Sequence, residues 1–189
     1  MMTEEMQLVE VKSKNDIFPQ YRGTAIEKLL SYHNLEMPFE EAKSAELLIG
    51  MCMDNRKQLN IPGNFAFIIR TAGANLRHSE FQVSFAISLG NVKAIALIGH
   101  TQCGMVNVMS KQKEFVEGLI RNAGWQTQQA EQHFTFLAPY HEIGDEISFV
   151  LGESKRLRLR YPSILVAPML YRVEDGKLYQ IQEDPQPAF

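Results

Sequence analysis

The sequence predicts an α/β fold with a central, mostly parallel β-sheet flanked by helices, and with a strand pair at the C-terminal end. Two short apolar runs, LLIGMCM and KAIALI, have the length and composition of parallel strands that are buried on both faces. Helical and strand patterns alternate around these runs, as in right-handed crossover units. The last apolar run is followed by a short turn and another strand pattern, which indicates an antiparallel pair.

The chain has 189 residues, of which 45% are hydrophobic and 22% are charged, as expected for one soluble globular domain. Within it we assign residues 1–45 to an N-terminal arm and helix, and residues 46–189 to the α/β domain. The formal net charge of −3 gives no general attraction to nucleic acid or to an anionic membrane. No apolar run is long enough to span a bilayer, and the acidic N-terminus is unlike a signal peptide, so we expect a cytoplasmic protein.

The first half of the chain supplies the first helix and two strands. Residues 1 to about 22 show no clear period and are expected to form an arm or a short surface helix. Thr24 and Glu27 have the spacing of a capping box, which predicts a helix that ends near His33. The apolar run at 47–53 is the first core strand, and the aromatic and β-branched run at 65–70 is the second.

The next segment completes the crossover unit. Ser79 and Gln82 form a second potential capping box, which opens a helix, and the third strand is predicted at 93–98. We expect a further helix to begin directly after this strand, over 103–110.

The C-terminal part is predicted to be helical before it closes with strands. Residues 111–137 have a helical pattern that breaks near Gly124, and 145–160 form a longer helix with cations in its last turns. A hairpin is predicted from strands at 163–171 and 177–182.

Residues that bind metals follow two of the predicted strands. Cys52, Asp54 and Arg56 come at the end of the first strand, and His100 and Cys103 come after the third. Ligands in open α/β sheets bind beyond the carboxyl ends of the strands, so neighbouring strands would present these side chains to one crevice. The chain has two cysteines and both are here. In a reducing compartment we expect them to be ligands or catalytic residues rather than a disulfide.

Two thiolates and one imidazole are a standard zinc set, and three protein ligands with an open fourth position are typical of catalytic sites. An extended backbone would point Cys52, Asp54 and Arg56 to the same side. Asp54 could then pair with the planar guanidinium of Arg56, or it could turn inward as a fourth ligand. The remaining histidines lie on polar or helical stretches, and we expect surface residues rather than ligands: His33, His78, His133 and His141.

The two motifs, Cys52-Met-Asp54-Asn-Arg56 and Gly99-His100-Thr-Gln-Cys103-Gly104, resemble those of the β-class carbonic anhydrases. The segment FAFIIRTAGAN between them and the closing segment ILVAPMLYRVEDGKLYQI are also similar to that family. The similarity covers roughly residues 47–181, and it is poor over 111–160.

The resemblance implies Zn²⁺ as cofactor, bound by Cys52, His100 and Cys103, with water or Asp54 as the fourth ligand. It implies zinc-dependent reversible hydration of carbon dioxide to bicarbonate and a proton, by attack of a zinc-bound hydroxide. Asp54 and Arg56 would be the catalytic residues, with Asp54 orienting the hydroxide and Arg56 holding Asp54. A homodimer or homotetramer is also implied, because family sites lie near a subunit interface.

Some positions depart from the family pattern and keep alternatives open. Thr71 stands where the family usually has Asn, and Ala74 where Gly is common. Relatives with the same zinc ligands hydrolyse CS₂ or COS, so a hydrolase on this scaffold is one alternative. A non-catalytic zinc-binding structural domain is another. A thiol-redox enzyme is disfavoured because the chain has no CxxC motif.

Overall fold

The computed structural model describes residues 8–183, and within them six strands form one mixed sheet. The strands are β1 (Leu8–Glu10), β2 (Leu47–Cys52), β3 (Ala66–Thr71), β4 (Ala94–His100), β5 (Leu165–Arg172) and β6 (Lys177–Ile181). The α-helices are α1 (Ala25–His33), α2 (Glu80–Ser88), α3 (Gln112–Ala123), α4 (Thr127–His141) and α5 (Glu146–Arg160).

The strand order across the sheet is β1-β6-β5-β4-β2-β3. β5, β4, β2 and β3 are parallel to one another, whereas β6 and β1 are antiparallel to their neighbours. The predicted fold class, a mostly parallel sheet flanked by helices and closed by a C-terminal strand pair, is therefore confirmed.

The two central strands, β2 and β4, are buried along their whole length. On one face, Ile49 of β2 packs in a core cluster that includes Leu29 and Leu30 of α1. On the other face, Leu97 of β4 packs in a cluster that contains residues of α2 and α5, among them Val83 and Val150. Burial on both faces explains why these strands are continuous apolar runs rather than alternating ones.

Local capping explains three of the helix boundaries, which are the starts of α1 and α5 and the end of α3. Thr24 caps α1 by accepting a hydrogen bond from the backbone N–H of Ile26, while Glu27 accepts from Gly23 rather than closing the box on Thr24. Gly124, with a φ of 70°, ends α3 where the break was predicted. The predicted capping box at Ser79 is wrong, because its side chain makes no cap and the residue ends a short 3₁₀ turn.

Two further predictions are corrected. Residues 103–110 do not form a helix directly after β4. Gln102 and Asn107 have φ values of 58° and 52°, which are incompatible with a right-handed helix, so the backbone forms turns there. A short 3₁₀ turn covers Val108–Lys111, and α3 begins only at Gln112.

The N-terminal segment, predicted as an arm or surface helix, adds β1 to the sheet by pairing with β6. A strand of three residues is too short to show a period in the sequence. Residues 1–7 of that segment lie outside the described residues. The division into residues 1–45 and 46–189 stays a prediction. No helix among residues 8–183 is both long and apolar enough to cross a membrane.

Candidate metal centre

The ends of β2 and β4 bring the three predicted ligands together. The two strands are parallel neighbours, and β2 ends at Cys52 while β4 ends at His100. The turn after β4 then returns Cys103 to the same place. The sulfur atoms of the two cysteines and a ring nitrogen of His100 all lie within 4.8 Å of one another, and all three residues are buried. Ligand atoms around a tetrahedral zinc ion lie roughly 3.4–3.8 Å apart, so the three positions would hold one ion after moving together by about 1 Å.

The hydrogen bonding of His100 supports a ligand role. Its Nδ1 lies 2.9 Å from the carbonyl oxygen of Thr101 and donates to it. This assignment places the proton on Nδ1 and leaves the lone pair on Nε2. Nε2 is buried and has no hydrogen-bond partner in the part of the chain that the structure describes. Ligating histidines are usually oriented in this way, with the second nitrogen bonded to a backbone carbonyl.

The two cysteine side chains lie close enough for one thiol to hydrogen-bond the other sulfur. The hydrogen bond from the Cys103 thiol lowers the pKa of the Cys52 thiol, and the neighbouring Cys52 sulfur together with burial raises the pKa of Cys103. The backbone N–H groups of Asp54 and Gly73 further favour the Cys52 thiolate. One negative charge is therefore accommodated by the protein alone. A second thiolate in this buried position requires a cation, which a divalent metal would supply.

Asp54 and Arg56 form the predicted pair. The Nη2 of Arg56 donates to Asp54 Oδ2 at 2.7 Å, and its Nε contacts both carboxylate oxygens at 3.1 and 3.2 Å. The backbone N–H of Arg56 also donates to Asp54 Oδ1. These hydrogen bonds from Arg56 hold the pKa of Asp54 well below its usual range. The predicted alternation of side chains is wrong, because β2 ends at Cys52 and Arg56 reaches Asp54 through a turn.

Two cations that were not predicted hold the backbone of this loop. The guanidinium of Arg70 on β3 donates to the carbonyl oxygens of Cys52, Asp54 and Lys57 at 3.2–3.4 Å. The side chain of Lys57 is completely buried, and its Nζ donates to the Asp54 carbonyl at 3.1 Å. The sequence shows a lysine in a polar loop, and nothing in that pattern indicates burial.

The surroundings of the three ligands are apolar. Cys52 and Cys103 pack with Ile143, and three partly buried side chains lie against this cluster: Met105, Val106 and Phe149. Met105 also lines an adjoining cavity of about 240 Å³ whose wall is mostly apolar. The site is thus a small group of polar ligands with an apolar wall beside it.

Of the other four histidines, His33 was wrongly placed at the surface. It is only 7% exposed and lies at the end of α1, where its Nδ1 accepts from the backbone N–H of Asn60. Its Nε2 contacts the carbonyl oxygen of Gly176 at 3.0 Å. His33 is therefore a buried histidine with two partners of its own, outside the group of candidate ligands.

Comparison with known proteins gives one family and one fold. A family model described as carbonic anhydrase matches residues 47–147, a range that contains all five predicted site residues. The sequence comparison with curated proteins gives no match.

Solved structures resemble the fold at low sequence identity. A carbonic anhydrase from Glaciozyma antarctica is 20% identical, with a TM-score of 0.58 over 75% of this chain and 85% of that chain. β-Carbonic anhydrase isoform I from Trichomonas vaginalis is 18% identical, with a TM-score of 0.62 over 78% of this chain and 89% of that chain. An apo carbon disulfide hydrolase is 19% identical, with a TM-score of 0.53 over 84% of this chain and 87% of that chain.

Proposed function

Since this chain belongs to the β-class carbonic anhydrase family, we propose that it is an enzyme, a zinc lyase that catalyses the reversible hydration of carbon dioxide to bicarbonate and a proton. The observation that carries the proposal is the convergence of ligand atoms of Cys52, His100 and Cys103 within 4.8 Å of one another. They meet at the ends of β2 and β4, beside the loop after β2 that contains the Asp54–Arg56 pair. A structural metal site needs the ligands but has no use for that pair.

We propose Zn²⁺ as the cofactor, bound through the two sulfur atoms and the free Nε2 of His100. Thiolate and imidazole ligands together suit zinc, and the two thiolates offset its charge in a buried site. When bound, the ion supplies a Lewis acid that lowers the pKa of a water molecule.

Asp54 is the catalytic hydrogen-bond acceptor in this proposal. Its pKa is lowered by Arg56, so the carboxylate stays ionised and its oxygens only accept hydrogen bonds. A carboxylate in this state can orient the attacking water. Arg56 fixes the direction of the carboxylate through its Nε and Nη2. Turning Asp54 inward as a fourth ligand would break these contacts, so the geometry favours Asp54 as an acceptor rather than a ligand.

A second candidate is hydrolysis of CS₂ or COS at the same site. The apolar residues around the cysteines, among them Met105 and Phe149, suit a small apolar substrate of this kind. A non-catalytic zinc domain is a third reading, and it leaves the Asp54–Arg56 pair without a role.

The test is stopped-flow carbon dioxide hydration by the zinc-loaded protein, with zinc content measured on the same samples. We expect turnover by the wild type and a fall of roughly 100-fold in Asp54→Asn, because loss of a charged acceptor positioned on a proton of the reacting water typically has an effect of this size. The control is Asp175→Asn, which alters a carboxylate in the β5–β6 turn whose partners are the backbone N–H of Lys177, the hydroxyl of Tyr179 and the guanidinium of Arg172. It should keep wild-type turnover.

Other results would select among the alternatives. Zinc-loaded protein that hydrolyses CS₂ or COS but does not hydrate carbon dioxide would replace the first proposal by the second. Full zinc loading with no turnover of any of these substrates would leave the non-catalytic zinc domain.

We further propose a homodimer or homotetramer and a cytoplasmic location. The first is supported by the exposed apolar surface along β3 and α2. The second follows from the proposed use of both cysteines as metal ligands, which is the usual role of paired cysteines in a reducing compartment.

A further inference from the structure

Arg56 makes contacts on the side away from Asp54. Its Nη1 donates to the side-chain oxygen of Gln102 at 3.2 Å, and its Nη2 donates to the Gln102 backbone carbonyl at 3.0 Å. The guanidinium is thus held between the carboxylate of Asp54 and both acceptors of one glutamine. Gln102 therefore fixes the orientation of the guanidinium together with Asp54.

Gln102 is in turn held by Glu174, in the turn between β5 and β6. The Nε2 of Gln102 donates to Glu174 Oε1 at 2.9 Å. The other carboxylate oxygen accepts from the hydroxyl of Thr101 at 2.8 Å, and that hydroxyl accepts from the backbone N–H of Val173. A continuous chain of hydrogen bonds therefore joins Glu174 to Asp54 through Gln102 and Arg56.

The chemistry of the two side chains sets the direction of this chain. An ionised carboxylate only accepts hydrogen bonds, so Glu174 requires the amide nitrogen of Gln102 to face it. The amide oxygen of Gln102 must then point the other way, toward Arg56, which only donates. Without Glu174, the amide could turn over and present its N–H groups to a cation.

The backbone of Gln102 also needs support. Its φ of 58° lies in the left-handed region, which is unfavourable for a residue other than glycine. That conformation directs the carbonyl oxygen to Arg56. The hydrogen bonds that Glu174 accepts from the side chains of Gln102 and Thr101 hold this turn in place.

We propose that Glu174, acting through Gln102, is a positioning residue for Arg56 and so for Asp54. Glu174 accepts hydrogen bonds from Gln102 and Thr101 rather than from the three proposed ligands, and it acts by fixing the guanidinium that fixes the acceptor. The effect on turnover rests on the proposed function, whereas the effect on the order of Arg56 does not.

The experiment compares Glu174→Ala, Glu174→Gln and Asp175→Ala with the wild type. Asp175 is the neighbouring carboxylate in the same turn, and it bonds the backbone N–H of Lys177 and the hydroxyl of Tyr179. Asp175→Ala therefore removes turn contacts and leaves the link to Arg56. Glu174→Gln keeps one acceptor oxygen and should restore part of the wild-type behaviour.

The first readout is the ¹⁵N relaxation of the Arg56 Nε–H group, assigned with an Arg56→Lys variant. We expect an ordered signal in the wild type and in Asp175→Ala, a mobile one in Glu174→Ala and an intermediate one in Glu174→Gln. The second readout is carbon dioxide hydration at equal zinc content. We expect kcat and kcat/KM of Glu174→Ala to fall together by roughly three- to tenfold, the effect of one lost hydrogen bond on an interaction made in the transition state.

Three outcomes would overturn the proposal. The first is an Arg56 signal that stays ordered in Glu174→Ala. The second is an Arg56 signal that becomes as mobile in Asp175→Ala as in Glu174→Ala. The third is a Glu174→Ala enzyme in which Arg56 is mobile but kcat equals that of an active wild type. If the wild type does not hydrate carbon dioxide, the relaxation data still decide whether Glu174 holds Arg56, so failure of the proposed function is seen separately.

Discussion

At the scale of single residues, His100 is the proposed ligand whose surroundings are most specific for a metal. Its Nδ1 is committed to the Thr101 carbonyl, and its buried Nε2 has no other partner among residues 8–183. Without the imidazole, two thiolates would remain in a buried site with one neutral ligand fewer, and the third protein ligand of a catalytic zinc site would be missing. We therefore expect His100→Ala to lose zinc.

The measurement is zinc per chain after dialysis against a mild chelator, by elemental analysis. We expect about one zinc ion per chain in the wild type, as for a single three-ligand site, and a small fraction of that in His100→Ala. His133→Ala, which removes a histidine of α4 that stacks on Phe115, is the control and should retain zinc. Equal zinc in both variants would exclude His100 as a ligand.

Residue-scale prediction succeeds where chemistry is local in sequence. Cys52, His100 and Cys103 stand in two short motifs, and the structure brings them together. Gln102 and Glu174 could not be found in this way, because each is a polar residue in a turn and their link spans 72 residues. Their role depends on how two distant turns meet.

At the scale of elements, α1 is fastened to the rest of the fold through His33. This histidine accepts from Asn60 and contacts Gly176, so it ties the end of the helix to two loops. Because Nδ1 accepts a hydrogen bond, the ring must be neutral, and Nε2 then donates to the Gly176 carbonyl. Burial lowers the pKa of His33 below its ordinary value, with a smaller contribution from the charge of Lys177.

This shift predicts how stability depends on pH. The unfolded chain binds a proton at His33 near pH 6.5, whereas the folded chain binds it only at lower pH. The contribution of neutral His33 to the stability of the fold is therefore fully present above about pH 6.5. It is lost as the pH falls through the pKa of His33 in the folded protein. We expect His33→Gln to be less stable than the wild type at pH 7.5 and to lose less stability between pH 7.5 and pH 5.

Urea unfolding at the two pH values measures this difference. A His133→Gln variant shows what loss of a histidine outside this contact does, and the change caused by His33→Gln must exceed it. An identical loss of stability on acidification in the wild type and in His33→Gln would contradict the assignment.

Elements were predictable where burial or capping leaves a pattern. The continuous apolar runs of β2 and β4 and the N-cap residues of α1 and α5 are local signals, and the structure contains those elements. β1 has only three residues and is defined by pairing with β6, so no local period could reveal it. The turns after β4 depend on left-handed backbone at Gln102 and Asn107. Glutamine and asparagine also adopt right-handed backbone, so these residue types do not by themselves predict the turns.

At the scale of the whole molecule, one edge of the sheet is not covered. β3 is the last strand on its side, with no neighbour beyond it among the described residues, and Ile68 on it is 47% exposed. Phe81 and Leu89 of the adjacent helix α2 are 79% and 74% exposed. A cavity of about 250 Å³ lies between β3 and α2. An apolar patch beside an open sheet edge is typical of an interface, and a twofold pairing of copies would cover both edges at once.

The prediction that follows is a homodimer or homotetramer whose contact includes β3. Light scattering after size exclusion should give a mass at least twice the chain mass of 21.6 kDa for the wild type. Ile68→Lys should shift the protein toward the monomer, because it places a charge on the edge and against the apolar patch. Phe136→Lys, which changes an exposed aromatic residue of α4, is the control and should keep the wild-type mass. A wild type that is monomeric at micromolar concentration would refute the assembly itself, whereas an oligomer that Ile68→Lys leaves intact would move the interface away from β3.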